Sequence, residues 1–331
     1  MINFKEITVV VQGPVQTFND RPQEPNITTK CLNSVREHLP GATIILSTWP
    51  NQDLSGLDYD ELVISPDPGA NSRNRKLDGT PQWYNNNRQI VSSVEGLKRV
   101  TTKYAVKLRS DNFLTSNSFV ALQQQYPERC EQDRFLKERV VVSDVFTRKY
   151  AKGFPVAYHV SDFFYFGLTE DVLALWDFPL FEDFAPSTEE PISKGFPNFI
   201  IDCTQALFIA ALQQFDSSIK LTHLLDNDAK IIERSNRIIA NNLVVATLDK
   251  LGLGLCQKFL GTARVSRTSG KVAHLQFFEW QQLYKEMCDS SFKPEASVVD
   301  SIVLFLQRCL YIFPTRPQTI LKVWKRSKIR Q

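Results

Sequence analysis

Short apolar runs alternate with amphipathic helical runs over the first 115 residues, and this alternation constrains the fold more than any other feature of the sequence. Buried strands are predicted at residues 7–11, 42–47, 62–65 and 104–108. Helices are predicted from Thr28 or Thr29 to about residue 38, and over residues 85–99. Such alternation favours an α/β fold with a mostly parallel sheet and covering helices.

The remainder of the chain is less regular and becomes mainly helical towards its end. Further elements are predicted as strands at 140–144 and 161–167 and as helices at 204–215, 277–288 and 298–313. Residues 181–199 contain three prolines and a glycine, so we expect a long loop there. A loop of this length in a compact domain often acts as a lid.

Composition narrows the class of protein. The 331 residues are 43% hydrophobic and 23% charged, as in an ordinary soluble globular protein, and the net charge of +3 is too small to indicate a nucleic-acid partner. Six cysteines without CxxC spacing predict neither a zinc site nor a disulfide framework, and they fit a cytoplasmic location. The N-terminus lacks a signal-peptide pattern, and no run of eighteen apolar residues predicts a membrane span.

The most informative polar residues follow the fourth predicted strand. Arg109 and Asp111 come at its end, and ligands of open α/β sheets bind at the carboxyl ends of strands. A carboxylate there can hold a divalent cation, which in turn can hold the phosphates of a nucleotide. Asp111 is therefore the candidate metal ligand, for Mn or Mg, and Arg109 its cationic partner. The alternative is a surface salt bridge.

Two other segments could contact a nucleotide. Gly13 follows the first strand and would let backbone N–H groups approach a ligand, while Gln12 could pair with a base edge; a plain turn explains them about equally well. Asn87 and Arg88 lie at a predicted helix N-terminus, which attracts anions, and Arg88 could reach a phosphate. The alternative for Asn85 is helix capping.

Two acids after apolar segments are candidate general bases. Asp162 precedes an aromatic run, and Asp202 precedes a predicted helix. Aromatic surroundings disfavour the charged form of a carboxylate, which suits a base. For Asp202 a helix cap is the better interpretation of the residue taken alone, whereas for Asp162 the two interpretations are even. Gly-x-Ser-x-Gly, Walker A and Gly-x-Gly-x-x-Gly motifs are absent, which argues against the common hydrolase, P-loop and dinucleotide folds.

Taken together, these pieces resemble the WavE family of bacterial lipopolysaccharide-synthesis proteins, which are regarded as GT-A type glycosyltransferases. The matching pieces occur in family order at residues 9–14, 45–49, 67–69, 87–90, 107–111, 161–163, 166–167 and 241–242. They span roughly residues 5 to 260. One departure is clear: where many GT-A enzymes have the first aspartate of Asp-x-Asp, this chain has Arg109, so the use of a metal is left open.

The resemblance implies a GT-A-like fold and a nucleotide-sugar donor. Residues 1–260 would form the nucleotide-sugar-binding and catalytic domain, and 261–331 a helical extension with a basic tail. The reaction would be an inverting hexosyl or related transfer to a lipid-linked or oligosaccharide acceptor of lipopolysaccharide, O-antigen or capsule. A scaffold subunit without catalysis is the alternative, and a nucleotidyltransferase ranks last.

The C-terminal segment fits a membrane-associated role. The basic tail at 322–330 contains Trp324, and basic segments with aromatic residues associate with anionic lipid surfaces. We expect a weak peripheral contact with the inner face of the cytoplasmic membrane through this tail. The apolar run at 298–313 is predicted to be a core helix.

Overall fold

The computed structural model describes residues 2–15, 17–18, 21–75, 80–183, 199–260, 268–295 and 297–328. The strands are β1 Ile7–Gln12, β2 Thr17–Phe18, β3 Arg21–Pro22, β4 Thr43–Thr48, β5 Glu61–Ile64, β6 Asn71–Arg75, β7 Pro81–Tyr84, β8 Tyr104–Arg109, β9 Asn112–Leu114, β10 Val140–Ser143, β11 Tyr150–Ala151, β12 Phe154–Pro155, β13 Phe164–Leu168, β14 Leu243–Ala246 and β15 Leu253–Leu255. The helices are α1 Ile27–His38, α2 Asn86–Leu97, α3 Ser118–Leu122, α4 Thr169–Ala174, α5 Cys203–Gln213, α6 Ala229–Asn242, α7 Leu248–Leu251, α8 Gln257–Leu260, α9 Thr268–Lys271, α10 Phe277–Met287, α11 Val298–Tyr311 and α12 Arg316–Lys328. Two 3₁₀ turns lie at Phe4–Glu6 and Phe313–Thr315.

The main sheet of the described residues has seven strands in the order β14-β10-β13-β8-β1-β4-β5. Six strands run in the same direction, and β13 runs antiparallel to both β8 and β10. The carboxyl ends of the six parallel strands therefore meet the start of β13 at one edge. This is the edge at which open α/β sheets bind ligands.

Continuous burial explains why the central strands form. Every residue of β1 is buried, as expected for a parallel strand with both faces covered. Helix α2 packs over β1, β4 and β8, while α1 packs against β1 and β9. At Gly96 of α2, an added Cβ would lie 2.4 Å from Val10 Cγ1 and 2.9 Å from Ser47 Cβ, so α2 needs a glycine to approach the sheet this closely.

The predicted α/β class, with a mostly parallel sheet and covering helices, is confirmed. Each predicted strand and helix of the first 115 residues occurs within one or two residues of its expected position. The predicted cap at Thr28 or Thr29 is wrong, because α1 begins at Ile27 and its N-cap position is Asn26, in the left-handed region at φ 59°. The loop predicted at 181–199 falls mostly at 184–198, outside the described residues.

The C-terminal helices differ in how they pack. Helix α10 buries Phe277, Trp280 and Tyr284 in the main core. In contrast, α11 buries only Leu304 and Arg308, so the prediction of a core helix at 298–313 is wrong. The helical segment Val298–Lys325 is long and apolar enough to cross a membrane by length and composition alone. The domain boundary after residue 260 stays a prediction.

Candidate active site

A cleft lies at the ligand-binding edge of the sheet, where β1 and β8 end side by side. Gln12 and Arg109 are neighbours in the register of these two strands. Residues from β1, α2, β8 and α8 line the cleft, among them Gln12, Arg88, Asp111 and Lys258. Its volume of about 280 Å³ is near the lower end of the range for small-molecule sites.

Two cations hold the carboxylate of Asp111 at the floor of this cleft. Arg109 donates from Nε to Oδ1 and from Nη2 to Oδ2 of Asp111, both at 2.9 Å. The ammonium of Lys258 contacts the same Oδ2. Burial alone would raise the pKa of Asp111, but the charges and hydrogen bonds of Arg109 and Lys258 outweigh it and hold that pKa well below its usual range. Asp111 is therefore a fixed anion with a cation on each side.

Arg109 also connects Asp111 with Asp162. Its Nη1 lies 3.5 Å from Oδ2 of Asp162, which also accepts a hydrogen bond of 2.5 Å from Nε2 of Gln89. The antiparallel pairing of β13 with β8 brings Asp162, just before β13, to the edge where β8 ends. The guanidinium carbon of Arg109 lies 4.8 Å from the ring centroid of Phe163, so cation–π attraction helps to orient it.

The turn after β1 is closed by hydrogen bonds within the protein. Gly13 has φ +120°, which favours glycine, and its N–H donates to the carbonyl of Ser47 at 3.1 Å. The N–H of Gly13 itself is thus bonded within the protein, and the approach of neighbouring backbone N–H groups to a ligand stays a prediction. Oε1 of Gln12 accepts from the hydroxyl of Ser92 at 2.6 Å, which ties the end of β1 to α2. Both residues line the cleft.

Two residues at the start of α2 are predicted to bind a ligand, and of these Arg88 lines the cleft while Asn87 does not. The guanidinium of Arg88 faces the cleft, but it donates to both oxygens of Asp67 at 2.7 Å and to Oδ1 of Asn85 at 2.9 Å. Asn85 thus bonds Arg88 instead of capping the helix with its side chain. Asn87 is buried and exchanges two hydrogen bonds with the backbone of Phe181, so its contacts are structural.

The groups around Asp111 do not fit a divalent cation. Such an ion takes six or more oxygen ligands in most sites, whereas both oxygens of Asp111 already accept hydrogen bonds from Arg109. No group of three or more His, Cys, Asp or Glu side chains that could hold a metal ion occurs among the described residues. A metal would have to displace the Arg109 fork or the ammonium of Lys258.

Asp202 lies in a second cleft, formed with α9, α11 and α12. It caps α5, where its side chain accepts from the backbone N–H of Thr204 and Gln205 completes a capping box, so the predicted cap is confirmed. Its carboxylate also lies 3.4 Å from Nε2 of His159 and 3.6 Å from Nη1 of Arg148. Burial would raise the pKa of Asp202, but these partners outweigh burial and hold it well below its usual range. The expectation of a weakly acidic carboxyl at Asp202 is therefore wrong.

Aromatic side chains connect residues of the two clefts. Phe163, which packs on Arg109, contacts Phe259 and Phe146 at centroid distances of 4.7 Å and 5.2 Å. The backbone carbonyl of Phe146 lies 2.8 Å from Nδ1 of His159. A chain of contacts through Phe163 and Phe146 therefore connects Arg109 of the first cleft with His159, the partner of Asp202.

Sequence reasoning missed Lys258. The pairing of β15 with β9 places Leu255 opposite Asn112, the residue after Asp111, and so returns the chain to the cleft. The one signal in the sequence is the alternation of leucine and glycine at 251–255, which is typical of a short strand that ends close to Lys258. Nothing in that signal indicates the partner strand.

A family model described as WavE lipopolysaccharide synthesis matches residues 7–310. No curated protein matches the chain.

Several solved structures are similar to the chain at low sequence identity. HddC from Yersinia pseudotuberculosis complexed with GMP-PN is 10% identical, with 63% of this chain and 99% of HddC covered and a TM-score of 0.29. TarS of S. aureus is 12% identical, with 85% of this chain and 42% of TarS covered and a TM-score of 0.34. The 4-diphosphocytidyl-2C-methyl-D-erythritol synthase of Anaerococcus prevotii is 13% identical, with 70% and 94% covered and a TM-score of 0.30. Likenesses at these TM-scores carry no argument about function.

Proposed function

The chain belongs to the WavE lipopolysaccharide synthesis family, and from this premise we propose that it transfers a sugar from a nucleotide-sugar donor to a growing lipopolysaccharide, O-antigen or capsule acceptor. The cleft at the ends of β1 and β8 would take the donor. The acceptor would be lipid-linked or an oligosaccharide, and residues 1–260 would form the catalytic domain.

The observation that supports this proposal is the convergence of cations on Asp111. Lys258 has an ammonium group with three donors and a side chain that is 52% exposed, so it can contact Asp111 and a ligand together. Arg109 lies on the other side of the same carboxylate. A departing nucleoside diphosphate carries negative charge, and fixed cations beside it stabilise the transition state.

Cationic side chains would replace a metal in this proposal. The fork of Arg109 fills the oxygens of Asp111 that a cation would need, and the position of the first aspartate in Asp-x-Asp is Arg109 itself. Asp111 would then orient Arg109 and Lys258 rather than coordinate Mn or Mg. Arg88 and Gln12 would form the wall of the cleft next to the nucleotide.

Asp162 is the base that we propose for an inverting transfer. Arg109, which lines the cleft, connects it to Asp111, and the acceptor hydroxyl would have to approach Asp162 next to this guanidinium. The hydroxyl oxygen would attack the anomeric carbon, its proton would pass to Asp162, and the bond to the diphosphate would break with its electron pair on the leaving group. Asp202 would cap α5 and border the second cleft.

A thermal-shift titration with nucleoside diphosphates and nucleotide sugars tests the donor site. We expect a rise in the melting temperature with one nucleoside diphosphate, and a loss of about tenfold in its affinity in Lys258→Ala, because one charge-assisted contact is removed. Lys250→Ala is the matched control, since Lys250 is a similarly exposed lysine paired with Glu295. The donor assignment fails if no nucleotide or nucleotide sugar shifts the melting temperature.

Paired substitutions test the base. Asp162→Asn should lower turnover by about a hundredfold or more while the nucleotide still raises the melting temperature. Asp202→Ala should keep turnover and lose more unfolding free energy than the about 1 kcal/mol of a helix cap, because His159 and Arg148 also lose their partner. The reverse pattern, in a folded Asp202→Ala protein, would assign the base to Asp202.

A non-catalytic scaffold is the second candidate, and one observation favours it. The cations of the cleft are paired with acids, Arg88 with Asp67 and Arg109 with Asp111, as in a purely structural network. A scaffold would co-purify with other assembly enzymes and would turn over no donor. Detection of sugar transfer by the purified protein would reject it.

A further inference from the structure

Helices α11 and α12 present a large apolar surface to the outside of the molecule. On α11, Val298, Val303, Leu306 and Leu310 are 76%, 47%, 55% and 69% exposed. On α12, Trp324 is 51% exposed. Contiguous exposed apolar surface of this kind is uncommon on a soluble monomer and marks an interaction site.

One narrow stripe attaches α11 to the rest of the protein. Arg308 donates to both oxygens of Glu279 on α10, at 2.6 Å and 2.8 Å, and to the carbonyl of Val272 at 2.9 Å. Leu304 and Ile312 pack with Val272 in a small cluster of their own. Because this stripe fixes α11 on the surface of the body, the opposite apolar face is held outward and available.

Hydrogen bonds to backbone carbonyls attach the first turn of α12 to the rest of the protein. Nε of Arg316 donates to the carbonyl of Gly153 at 2.7 Å, and the hydroxyl of Thr319 donates to the carbonyl of Lys152 at 2.8 Å. Thr319 is buried by this contact. Contacts of one stripe of α11 and of the first turn of α12 hold this segment against the protein, which favours lying on a membrane over crossing it.

Charge indicates what covers the apolar face. No aspartate or glutamate follows Asp300, whereas seven lysine and arginine residues do, five of them within 322–330. A second copy docked on this face would bring two sets of like charges together, which opposes association. An anionic lipid surface supplies both an apolar interior and the opposite charge.

We propose that α11 and α12 form a lipid-docking face that inserts apolar side chains into an anionic membrane surface. The proposal goes beyond a weak contact through the basic tail, because the main contact is the apolar face of α11. It does not depend on the transferase assignment, since a scaffold would dock in the same way. The second cleft, lined by Tyr311 and Lys322 as well as Asp202, borders this face.

Vesicle flotation of the full chain tests the proposal. We expect binding to vesicles of phosphatidylcholine mixed with phosphatidylglycerol and much less binding to phosphatidylcholine alone. Salt should weaken the binding without abolishing it, because salt screens the charges and leaves the apolar contact. The double variant Val303→Glu, Leu306→Glu should bind at least about tenfold less, since both side chains point away from the body.

A matched control and four possible outcomes make the test decisive. Ile64→Glu replaces an equally exposed residue on β5, and it should bind vesicles like the unchanged protein. Circular dichroism and the melting temperature would show that each variant is folded. Equal binding by the double variant, no binding by the unchanged protein, or resistance to carbonate extraction from vesicles would each overturn surface docking. A dimer in light scattering that the double variant loses, without flotation, would assign the face to self-association.

Discussion

At the scale of single residues, Arg109 is the centre of the proposed donor site. Its guanidinium contacts the carboxylates of Asp111 and Asp162. It keeps its positive charge because the attraction to Asp111 outweighs the free-energy cost of burying that charge. The contact with Asp162 requires the antiparallel register of β13 on β8, and a sequence pattern does not give that register. Arg109, Asp111 and Asp162 could each be selected as candidates from the sequence. That the side chain of Arg109 connects the two acids could not be predicted from it.

The low pKa of Asp111 predicts an acid-dependent loss of stability. Since the folded-state pKa is depressed, the stabilisation by Asp111 is fully present above the ordinary aspartate pKa near 4 and is lost as the pH falls below it. In Asp111→Asn the decline of unfolding free energy between about pH 5 and pH 2 should be shallower. At pH 7 this variant should be about 3 kcal/mol less stable, because Arg109 loses its partner.

Urea unfolding at several pH values checks this expectation. Asp249→Asn is the control, because Asp249 is exposed on α7 and should leave the acid decline unchanged. An Asp111→Asn protein with the stability and pH profile of the unchanged chain would contradict the ion-pair interpretation.

Lys107 predicts a second rise of the unfolding free energy with pH, at neutral to alkaline pH. It is completely buried, its ammonium contacts the carbonyl of Asp162, and burial lowers its pKa to about 7. Between pH 7 and about pH 10 the unfolded chain binds more protons than the folded protein, so the unfolding free energy should rise with pH. The rise due to this group should be on the order of 4 kcal/mol.

The variant Lys107→Met removes this titration and keeps an apolar stem. Its unfolding free energy, measured in urea from pH 6 to pH 10, should lack the part of the rise that comes from Lys107. If the two proteins show parallel profiles, burial does not lower the pKa of Lys107, and the folded protein keeps this proton up to about pH 10.

At the scale of elements, the sequence predicts those strands and helices that local hydrophobic periodicity determines. The strands β1, β4 and β8 are continuous apolar runs, and α1 and α2 have clear helical spacing, so all five were predicted. The approach of Lys258 to Asp111 was not predictable, because it depends on the pairing of β15 with β9 across a long stretch of chain. The exposure of α11 was also missed, since an apolar run looks the same whether it faces a core or a membrane.

Gly96 offers a test of how closely α2 packs on the sheet. Gly96→Ala should destabilise the protein by about 2 kcal/mol, because the new Cβ overlaps Val10 and Ser47 and outweighs the gain in helix propensity. Glu95→Ala, at an exposed position of the same helix, should change the unfolding free energy by less than about 0.5 kcal/mol. An equally small effect at Gly96 would show that α2 can move away without cost.

At the scale of the whole molecule, the donor site is predicted to work without a divalent metal. The arginine and lysine of the cleft already neutralise its carboxylate, so EDTA should leave both the nucleotide-dependent thermal shift and the rate of transfer unchanged. Titration of Mn or Mg into the protein, followed by calorimetry, should give no saturable binding linked to Asp111. A loss of the thermal shift in EDTA, restored by Mn, would contradict the replacement of metal by cations.

Helix α10 joins the main core to α11. Trp280 and Tyr284 on one face of α10 are buried in the core. Glu279, on another face, accepts two hydrogen bonds from Arg308 of α11. A protein that rests on a bilayer through α11 would therefore keep a constant tilt relative to the membrane plane. Its proposed donor site would then lie at a set height above the headgroups. Glycan chains of different length would then differ in how readily their growing ends reach that height.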